Sequence, residues 1–239
     1  MTAKYVEYSS SLQEEMFKEF AVNFFAAVTP ATISTLCHIV DTVCQYPGGR
    51  KKLTLVVSSS GGDIQRALTA CNYLKTLPLD IVTHATSVAA SAGLLLYCLG
   101  QERRAHKYTH FTLHPMTLSA TSGGYDLSFL REAIGLLESQ EKAMAGIVAS
   151  ATGKTEDTIL QDIRQRKVMD VAQAKDYGLV TEINDDIYYG TPFTFSVGET
   201  DCIVPPPYVP PQHRMSFLGD VSSQLINREI LCGQGYVIQ

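Results

Sequence analysis

The sequence predicts an α/β fold with a largely parallel sheet, and three observations carry that prediction. The run "LTLVV" at 53–57 has the apolar, β-rich composition of a strand buried on both faces. Apolar residues at helical spacing follow from Ile64 to Leu74, and the strand-like run "DIVTHAT" comes next. Because the alternation of strand and helix then repeats, we expect helices packed on a mostly parallel sheet.

The elements before this unit are predicted by their boundaries. The apolar run "NFFAAV" at 23–28 is typical of a strand. Thr29 and Pro30 then predict the start of a helix, with the threonine as its cap and the proline in its first turn. A turn is expected at "YPGGRKK", 46–52, and a glycine turn at "SSSGGD", 58–63.

The elements after this unit repeat the pattern and then depart from it. "DIVTHAT" is expected to lead into a buried helix headed by Ser91, and "THFTLH" to form a strand that closes at His114. The amphipathic helix predicted at 126–150 is longer than a small sheet needs, so we expect it to protrude. Thr155 predicts the cap of another helix, and "DVAQAKDYGLV" at 170–180 predicts a short capped helix before a final strand.

A change of composition near residue 190 predicts a domain boundary. Residues 1–190 are expected to form the folded domain, and residues 191–239 a proline-containing C-terminal extension. The cluster "VPPPYVPP" at 204–211 must be extended, because successive prolines favour the polyproline II conformation. A rigid spacer is the simplest interpretation of this cluster, and weak helical signal follows it.

Composition excludes several classes of protein. With 19 basic and 24 acidic side chains the net charge is −5, so the basic surface of a nucleic-acid binder is missing. No apolar run is long enough to cross a bilayer and no signal peptide is visible, so we expect a cytoplasmic protein without a membrane partner. Six cysteines lie scattered without metal-ligand spacing, which favours reduced thiols without disulfides. They are Cys37, Cys44, Cys71, Cys98, Cys202 and Cys232.

One small-residue segment, "SVAASAG" at 87–93, is a candidate catalytic site. Ser91 heads a predicted helix, where unpaired backbone amides favour the negative charge that develops in acyl transfer. His114 ends a strand of the same sheet and is a candidate general base at the edge where α/β proteins bind ligands. At that edge the amides of Gly62 and Ala92 are candidate donors of an oxyanion hole.

Five motifs in one order resemble the proteolytic subunit family of the Clp protease, ClpP. "SSSGGD" resembles the family's "SPGG" turn, "SVAASAG" its serine segment "GQAASMG", and "FTLHP" its histidine segment "VMIHQP". "SGGYD" resembles the glycine turn that follows, and "VAQAKDYGLVTEI" resembles the closing "SAPEAVEYGLVDSI". The resemblance covers roughly residues 20 to 185.

This resemblance implies a ClpP/crotonase fold of repeated β-β-α and βαβ units, with residues 126–150 as the handle helix through which two rings meet. It implies Ser91 as nucleophile, His114 as general base, and Gly62 and Ala92 as backbone oxyanion donors. It also implies a homo-oligomeric, heptameric ring, peptides and unfolded proteins as substrates, and an AAA+ Clp ATPase as partner. No cofactor is required for such hydrolysis.

The sequence departs from the family at the third member of the catalytic triad. Aligning "DYGLV" with "EYGLV" places Arg166 where the family has its aspartate. Asp162 and Asp170 are substitutes by proximity only: we expect Asp170 to cap a helix and Asp162 to lie on a solvated helix face. The third triad member therefore stays unassigned, and Ser60 replaces the proline of the glycine turn, which should loosen that turn.

Two further functional classes stay open. The first is a ring subunit or scaffold that keeps Ser91 and His114 without turnover, which the arginine at position 166 favours. The second is a crotonase-type acyl-CoA enzyme, which would leave the serine and histidine without a role. His106, His110 and His114 recur every four residues, but their segment alternates like a strand and offers no carboxylate, so no metal site is predicted.

Overall fold

The fold is described from a computed structural model, for residues 17–46, 48–118, 124–186, 193–198 and 202–203. Nine strands are present in these ranges: β1 Glu19–Phe24, β2 Lys51–Ser59, β3 Leu79–Ala90, β4 Glu102–Ala105, β5 His110–Thr112, β6 Val168–Asp170, β7 Glu182–Ile183, β8 Phe193–Val197 and β9 Cys202–Ile203. Six helices accompany them: α1 Pro30–Cys44, α2 Ile64–Leu74, α3 Ala92–Tyr97, α4 Leu127–Thr152, α5 Glu156–Arg164 and α6 Val171–Asp176.

The helices begin where short polar side chains cap them. Thr29 accepts a hydrogen bond from the amide of Thr32 at the start of α1, and Pro30 occupies its first turn, as predicted. Thr155 caps α5 in the same way, with Glu156 and Asp157 in the first turn. These caps confirm the predicted helix starts.

The strands form one mostly parallel sheet, which confirms the predicted fold class. Its main path runs in the order β6-β5-β3-β2-β1-β8-β9; off this path, β4 pairs with β3 and β7 pairs with β4. The pairs β1–β2, β2–β3, β3–β4 and β3–β5 are parallel, whereas β5–β6 and β8–β9 are antiparallel. Strand β8 lies beyond the predicted boundary near residue 190, yet it pairs with β1 in the same sheet.

The core lies between this sheet and its helices. Every residue of α3 is buried, and its sequence, "AGLLLY", accordingly contains no charged side chain. The alternate β2 residues Leu53, Leu55 and Val57 are also fully buried in that core. The serine at the head of α3 is therefore carried by the most buried part of the fold.

The long helix α4 confirms the predicted element and its protrusion. Its second half packs into the core through Met144 and Val148. In its first half several large apolar side chains are exposed: Leu127, Phe129, Leu130, Ile134 and Leu136. We call these five residues the α4 apolar stripe. By helix geometry Leu127, Leu130 and Ile134 share one side of α4, whereas Phe129 and Leu136 lie on the other. Apolar side chains therefore face solvent on both sides of this part of the helix, which is typical of an assembly surface.

Some expectations differ from the structure or fall outside the described ranges. The predicted strand ending at His114 stops at Thr112, because the antiparallel partner β6 covers only three residues. Strands β4 and β6 were not predicted. The proline cluster at 204–211, the remainder of the extension and the first residues of "SGGYD" lie outside the described residues. Among the helices described, none is long and apolar enough to cross a membrane.

The four cysteines whose side chains are described are free thiols. Cys71 and Cys98 are buried, and Cys37 and Cys44 are half-buried on α1. Burial raises the pKa of the Cys71 and Cys98 thiols to about 12. These thiols therefore stay protonated at neutral pH and serve as small apolar core residues.

A buried histidine in the middle of β3 predicts a pH-dependent stability. His84 is fully buried, and burial, followed by the nearby Arg104 and His106, lowers the pKa of its imidazole from 6.5 to about 4. As the pH falls below 6.5 the unfolded chain binds a proton that the folded chain does not. We therefore expect the free energy of unfolding to fall between pH 7.5 and pH 5 by about 2 kcal/mol through this residue alone.

Urea unfolding at the two pH values measures this effect. The His84→Leu variant removes the titrating group, so its loss of stability between pH 7.5 and pH 5 should be smaller than that of wild type by about 2 kcal/mol. His110→Leu is the matched control, because His110 is exposed on β5. Equal pH dependence in wild type and His84→Leu would contradict the prediction.

Candidate active site

Ser91 occupies the single-residue junction between β3 and α3. Its φ of 52° and ψ of −128° lie in a region that residues other than glycine rarely adopt. Its amide donates to the carbonyl of Thr112 on β5 (3.2 Å), and its carbonyl accepts from Leu94 in the first turn of α3 (3.0 Å). The backbone is thus fixed on both sides of the serine, and a strained conformation held in this way is common at functional sites.

The glycine turn after β2 lies directly against this serine. A Cβ on Gly61 would lie 2.6 Å from the Ser91 Cβ and 2.9 Å from the carbonyl oxygen of Ala90, so no larger residue fits there. Gly61 also has a φ of 102°, which favours glycine. The small residues around Ser91 are therefore explained by the close approach of the β2 turn.

The structure fixes the directions of the two backbone amides that are candidate oxyanion donors. The carbonyl of Gly61 and the amide of Asp63 both bond to Val28 (2.8 Å each). Because alternate backbone groups of an extended segment face opposite edges, the amide of Gly62 faces away from Val28 and toward the β3 side. Ala92 is the first residue of α3, where the amide has no acceptor within its own helix. Both amides are thus available to an oxyanion beside Ser91.

Ser59 was missed by the sequence analysis and holds this arrangement together. Its side-chain oxygen accepts a hydrogen bond from the amide of Gly61 (3.2 Å). A Cβ on Gly93 would meet the Ser59 side chain at 2.7 Å, so the start of α3 also packs directly on it. Ser59 is 2% exposed. Ser59 thereby fixes a turn that we expected Ser60 to loosen. The only signal for it in the sequence is its place as the middle residue of the serine run at 58–60.

The pairing of β3 with β5 brings His114 toward the serine. Ala90 pairs with Thr112 in a parallel register, so Ser91 follows one strand end and His114 lies two residues beyond the other. Adjacent strands lie about 4.8 Å apart, which places both residues at one edge of the sheet. His114 is half-buried there. Within the described residues no hydrogen bond joins the two side chains, and apo enzymes often tighten such contacts only when substrate binds.

The imidazole of His114 has an acceptor of its own. Its Nδ1 lies 2.9 Å from the carbonyl oxygen of Pro115. A carbonyl oxygen only accepts hydrogen bonds, so this contact requires the proton on Nδ1. In this tautomer of the neutral ring, Nε2 carries the free lone pair. A histidine whose Nδ1–H is hydrogen-bonded acts as a general base through that Nε2.

Arg166 stands where the resemblance places the orienting aspartate. The antiparallel register of β5 and β6 continues past the strand ends, because the amide of Leu113 donates to the carbonyl of Lys167 (2.9 Å). Arg166 precedes Lys167 and His114 follows Leu113, so in this antiparallel pair both residues lie on the same side of that hydrogen bond. The side chain of Arg166 is exposed. A cation therefore stands at the position that the resemblance assigns to the orienting carboxylate.

The backbone at Arg166 is left-handed for a reason of local structure. Its φ is 54°, its amide donates to Ile163, and the amide of Lys167 donates to Asp162, both at 3.1 Å. These two bonds at the end of α5 define a Schellman motif, in which glycine is the usual residue at the left-handed position. The positive φ of Arg166 is thus explained by the way α5 ends.

Neither aspartate suggested as a substitute orients His114. Asp170 caps α6 by accepting from the amide of Gln173 (2.8 Å), as predicted. The expectation that Asp162 lies on a solvated helix face is wrong: it is 8% exposed and bonds to Lys167 (2.8 Å) and Tyr177 (2.5 Å). The pattern of α5 alone could not reveal this, because both partners lie beyond that helix.

Metal binding is not supported by the geometry. Over the described ranges, no group of three His, Cys, Asp or Glu side chains is arranged to hold a metal ion. His110 is exposed on β5, and His106 pairs with Asp185 (3.5 Å) at the far end of β4. The histidines that recur every four residues therefore do not converge.

The parallel sheet, the serine between β3 and α3 and the protruding α4 together define the ClpP/crotonase fold. Comparison with known proteins agrees with this class. A family model described as Clp protease matches residues 6–186. The chain belongs to the Clp protease family, which confirms the resemblance found in its motifs.

Individual relatives show the same likeness. The chain is 25% identical over 179 residues to the ATP-dependent Clp protease proteolytic subunit 3 of Rhodococcus jostii, covering 74% of this chain and 87% of that protein. It is 24% identical over 186 residues to proteolytic subunit 1 of Corynebacterium jeikeium, covering 77% and 96%. A solved structure of a ClpP1 mutant from Listeria monocytogenes superposes with a TM-score of 0.62 at 19% identity, covering 73% of this chain and 96% of that one. This last likeness concerns the fold alone.

Proposed function

We propose that this chain is a serine-type endopeptidase subunit of a Clp-like ring protease, with Ser91 as nucleophile and His114 as general base. The observation that carries the proposal is the left-handed junction at Ser91, which is locked between β5 and the glycine turn of β2. The backbone amides of Gly62 and Ala92 are proposed as the oxyanion donors. The substrates are peptides and unfolded proteins.

The proposed reaction proceeds through an acyl-enzyme. The Ser91 oxygen attacks the peptide carbonyl carbon while Nε2 of His114 takes the serine proton. The resulting oxyanion accepts hydrogen bonds from the amides of Gly62 and Ala92. His114 then gives its proton to the leaving amine as the C–N bond breaks. Water attacks the acyl ester, again with His114 as base, and Ser91 is released.

The contact of His114 with Pro115 supports activity without a triad carboxylate. The Pro115 carbonyl keeps the proton on Nδ1 and so leaves Nε2 as base. A neutral carbonyl stabilises the charged imidazolium less than a carboxylate does, because the hydrogen bond lacks a full opposite charge. We therefore expect a working but slow enzyme.

A non-catalytic ring subunit or scaffold is the second candidate function. The specific observation that favours it is the arginine at position 166, next to the Lys167 carbonyl that bonds to the residue before His114. In a serine protease, loss of the orienting carboxylate lowers turnover by about 10⁴-fold. A subunit of this kind would contribute to assembly through its surfaces.

Labelling by a fluorophosphonate probe tests the proposed nucleophile and base. We expect wild type to be labelled, Ser91→Ala not to be labelled, and His114→Ala to be labelled about 100-fold more slowly, because a general base contributes at least that factor. Ser87→Ala and His110→Ala are matched controls, since both residues are exposed on the neighbouring parts of β3 and β5.

Two results would contradict the peptidase proposal. The first is absence of labelling in assembled wild type, which would favour the scaffold. The second is labelling that persists in Ser91→Ala, which would place the reactive group elsewhere. Hydrolysis of a thioester substrate by wild type, without peptide cleavage, would instead favour the crotonase-type activity.

Ring assembly is the second part of the proposal. The α4 apolar stripe is an exposed apolar surface on the helix that the resemblance assigns to ring contacts. We propose that heptameric rings of this 26.2 kDa chain form, with a mass of about 180 kDa each, and that two rings meet through α4. An AAA+ Clp ATPase is proposed as the partner that supplies unfolded substrates.

Size-exclusion chromatography with light scattering measures this assembly. We expect Ile134→Glu to reduce a double ring to smaller species, because it buries a charge in the stripe. Ser139→Glu adds the same charge at an exposed polar position of α4 and should leave the mass unchanged. A monomeric wild type would contradict the ring proposal.

A further inference from the structure

A buried carboxylate ties together three segments near the end of α5. Asp162 lies in the last turn of that helix and is 8% exposed. Its Oδ1 accepts from Lys167 Nζ (2.8 Å) and its Oδ2 from the Tyr177 hydroxyl at the end of α6 (2.5 Å). We call these three side chains the Asp162 brace. Hydrogen bonds to an ionised carboxylate are among the strongest that side chains make.

The tyrosine of the Asp162 brace is held as a hydrogen-bond donor. The Lys154 and Lys167 ammonium groups lie 4.5 and 5.1 Å from the centre of its ring. Burial, and then the hydrogen bond to Asp162, raises the pKa of the Tyr177 phenol well above its usual range. The phenol therefore keeps its proton, and its bond to Asp162, across the working pH range.

The Asp162 brace continues through the backbone to the candidate base. The amide of Lys167 donates to the Asp162 carbonyl (3.1 Å), so this lysine is held at both its backbone and its side chain. Its own carbonyl accepts from the amide of Leu113 (2.9 Å), and Leu113 is fully buried. The next residue is His114. A shift of Lys167 is thus transmitted to the imidazole through one hydrogen bond and one peptide unit.

We infer that Asp162, with Tyr177 and Lys167, is a positioning residue for His114. This inference rests on the proposed peptidase function and deepens it. With an arginine at position 166, no carboxylate holds the imidazole from the opposite strand. The Asp162 brace holds the backbone that carries His114 instead, while the Pro115 carbonyl holds its Nδ1. Loss of the brace lowers the rate of acyl transfer per active site and leaves substrate binding intact.

The test is peptide hydrolysis normalised to the number of reactive sites. Fluorophosphonate titration counts competent sites, and kcat and KM are measured on a short fluorogenic peptide. We expect kcat per titrated site to fall about fivefold in Tyr177→Phe and about tenfold or more in Asp162→Asn, with KM within twofold of wild type. Tyr177→Phe keeps the ring beneath the lysines and so preserves the packing.

Thr155→Ala is the matched control for stability. Thr155 caps the other end of α5, so this variant weakens the same helix without contacting the Asp162 brace. Its kcat per titrated site should stay within twofold of wild type. Unchanged values in both brace variants, with a labelled wild type, would overturn this inference alone. An unlabelled wild type would overturn the peptidase proposal and the inference with it.

Discussion

Replacing Arg166 with aspartate is expected to increase kcat for a short peptide by roughly 10- to 100-fold, since loss of such a carboxylate costs other serine proteases about 10⁴-fold. Position 166 lies on the same side of the Leu113–Lys167 hydrogen bond as His114, and the resemblance places there a carboxylate that accepts a hydrogen bond from Nδ1 in place of Pro115. The backbone permits the change, because aspartate tolerates a φ of 54° better than most residues do. Peptide hydrolysis per titrated active site measures the gain.

Arg166→Asn separates the charge from the backbone. Asparagine tolerates the left-handed conformation as well as aspartate does, and it removes the arginine without supplying a negative charge. Its kcat should stay within about threefold of wild type, because it stabilises an imidazolium poorly. Equal increases in the two variants would show that removal of the arginine, and not the carboxylate, is what matters.

Replacing Arg103 with alanine is expected to lower the free energy of unfolding by about 3 to 5 kcal/mol, the largest stability effect that this fold predicts. Arg103 lies on β4, is 8% exposed and donates to five backbone carbonyls. Those acceptors are Gly100 and Gln101 after α3, Ala151 in the last turn of α4, and Gly178 and Leu179 after α6. Without the guanidinium these carbonyls lose this donor, and the hydrogen bonds to Gly100 and Leu179 are fully buried ones.

Arg50→Ala is the control for the loss of an arginine as such. Arg50 pairs with Asp80 at 2.6 Å, but both side chains are more than half exposed, so its loss should cost less than about 1 kcal/mol. Arg103→Lys should lose most of the stability as well, because one ammonium group cannot reach carbonyls on three segments. Chemical denaturation of the three variants measures these differences, and similar losses in Arg50→Ala and Arg103→Ala would contradict the assignment.

The parts of the fold that the sequence predicts are those whose signals are local. Strands β2 and β3 contain the β-rich runs "LTLVV" and "DIVTHAT", and the residues Thr29, Thr155 and Asp170 cap the helices that were predicted to start at them. Strand β4, with the sequence "ERRA", was missed because its charged composition is not that of a buried strand. Arg103 is buried there with three acceptor carbonyls that lie 48 to 76 positions away in the chain, and no pattern in the sequence predicts such partners.

The candidate site likewise contains residues that the sequence reveals and residues that it does not. Ser91, the glycine turn and His114 could be found because small residues, paired glycines and a strand-end histidine leave a visible pattern. The acceptor of the His114 proton could not be found, since every residue has a carbonyl and only the fold selects that of Pro115. Asp162 was misjudged for a related reason: its burial depends on Tyr177, which lies 15 positions away.

The Schellman end of α5 has a consequence for the balance between thermal stability and turnover. The carbonyls of its last turn form the negative end of a helix dipole, which favours a cation such as Arg166 and opposes a carboxylate by about 0.3 to 1 kcal/mol. A subunit with aspartate at this position places a negative charge at the negative end of the helix dipole, which lowers its stability. In this chain the helix dipole favours the arginine at position 166, and the carboxylate that the resemblance places beside His114 is absent from this position. Stability and the proposed catalytic rate thus place opposite requirements on this one residue.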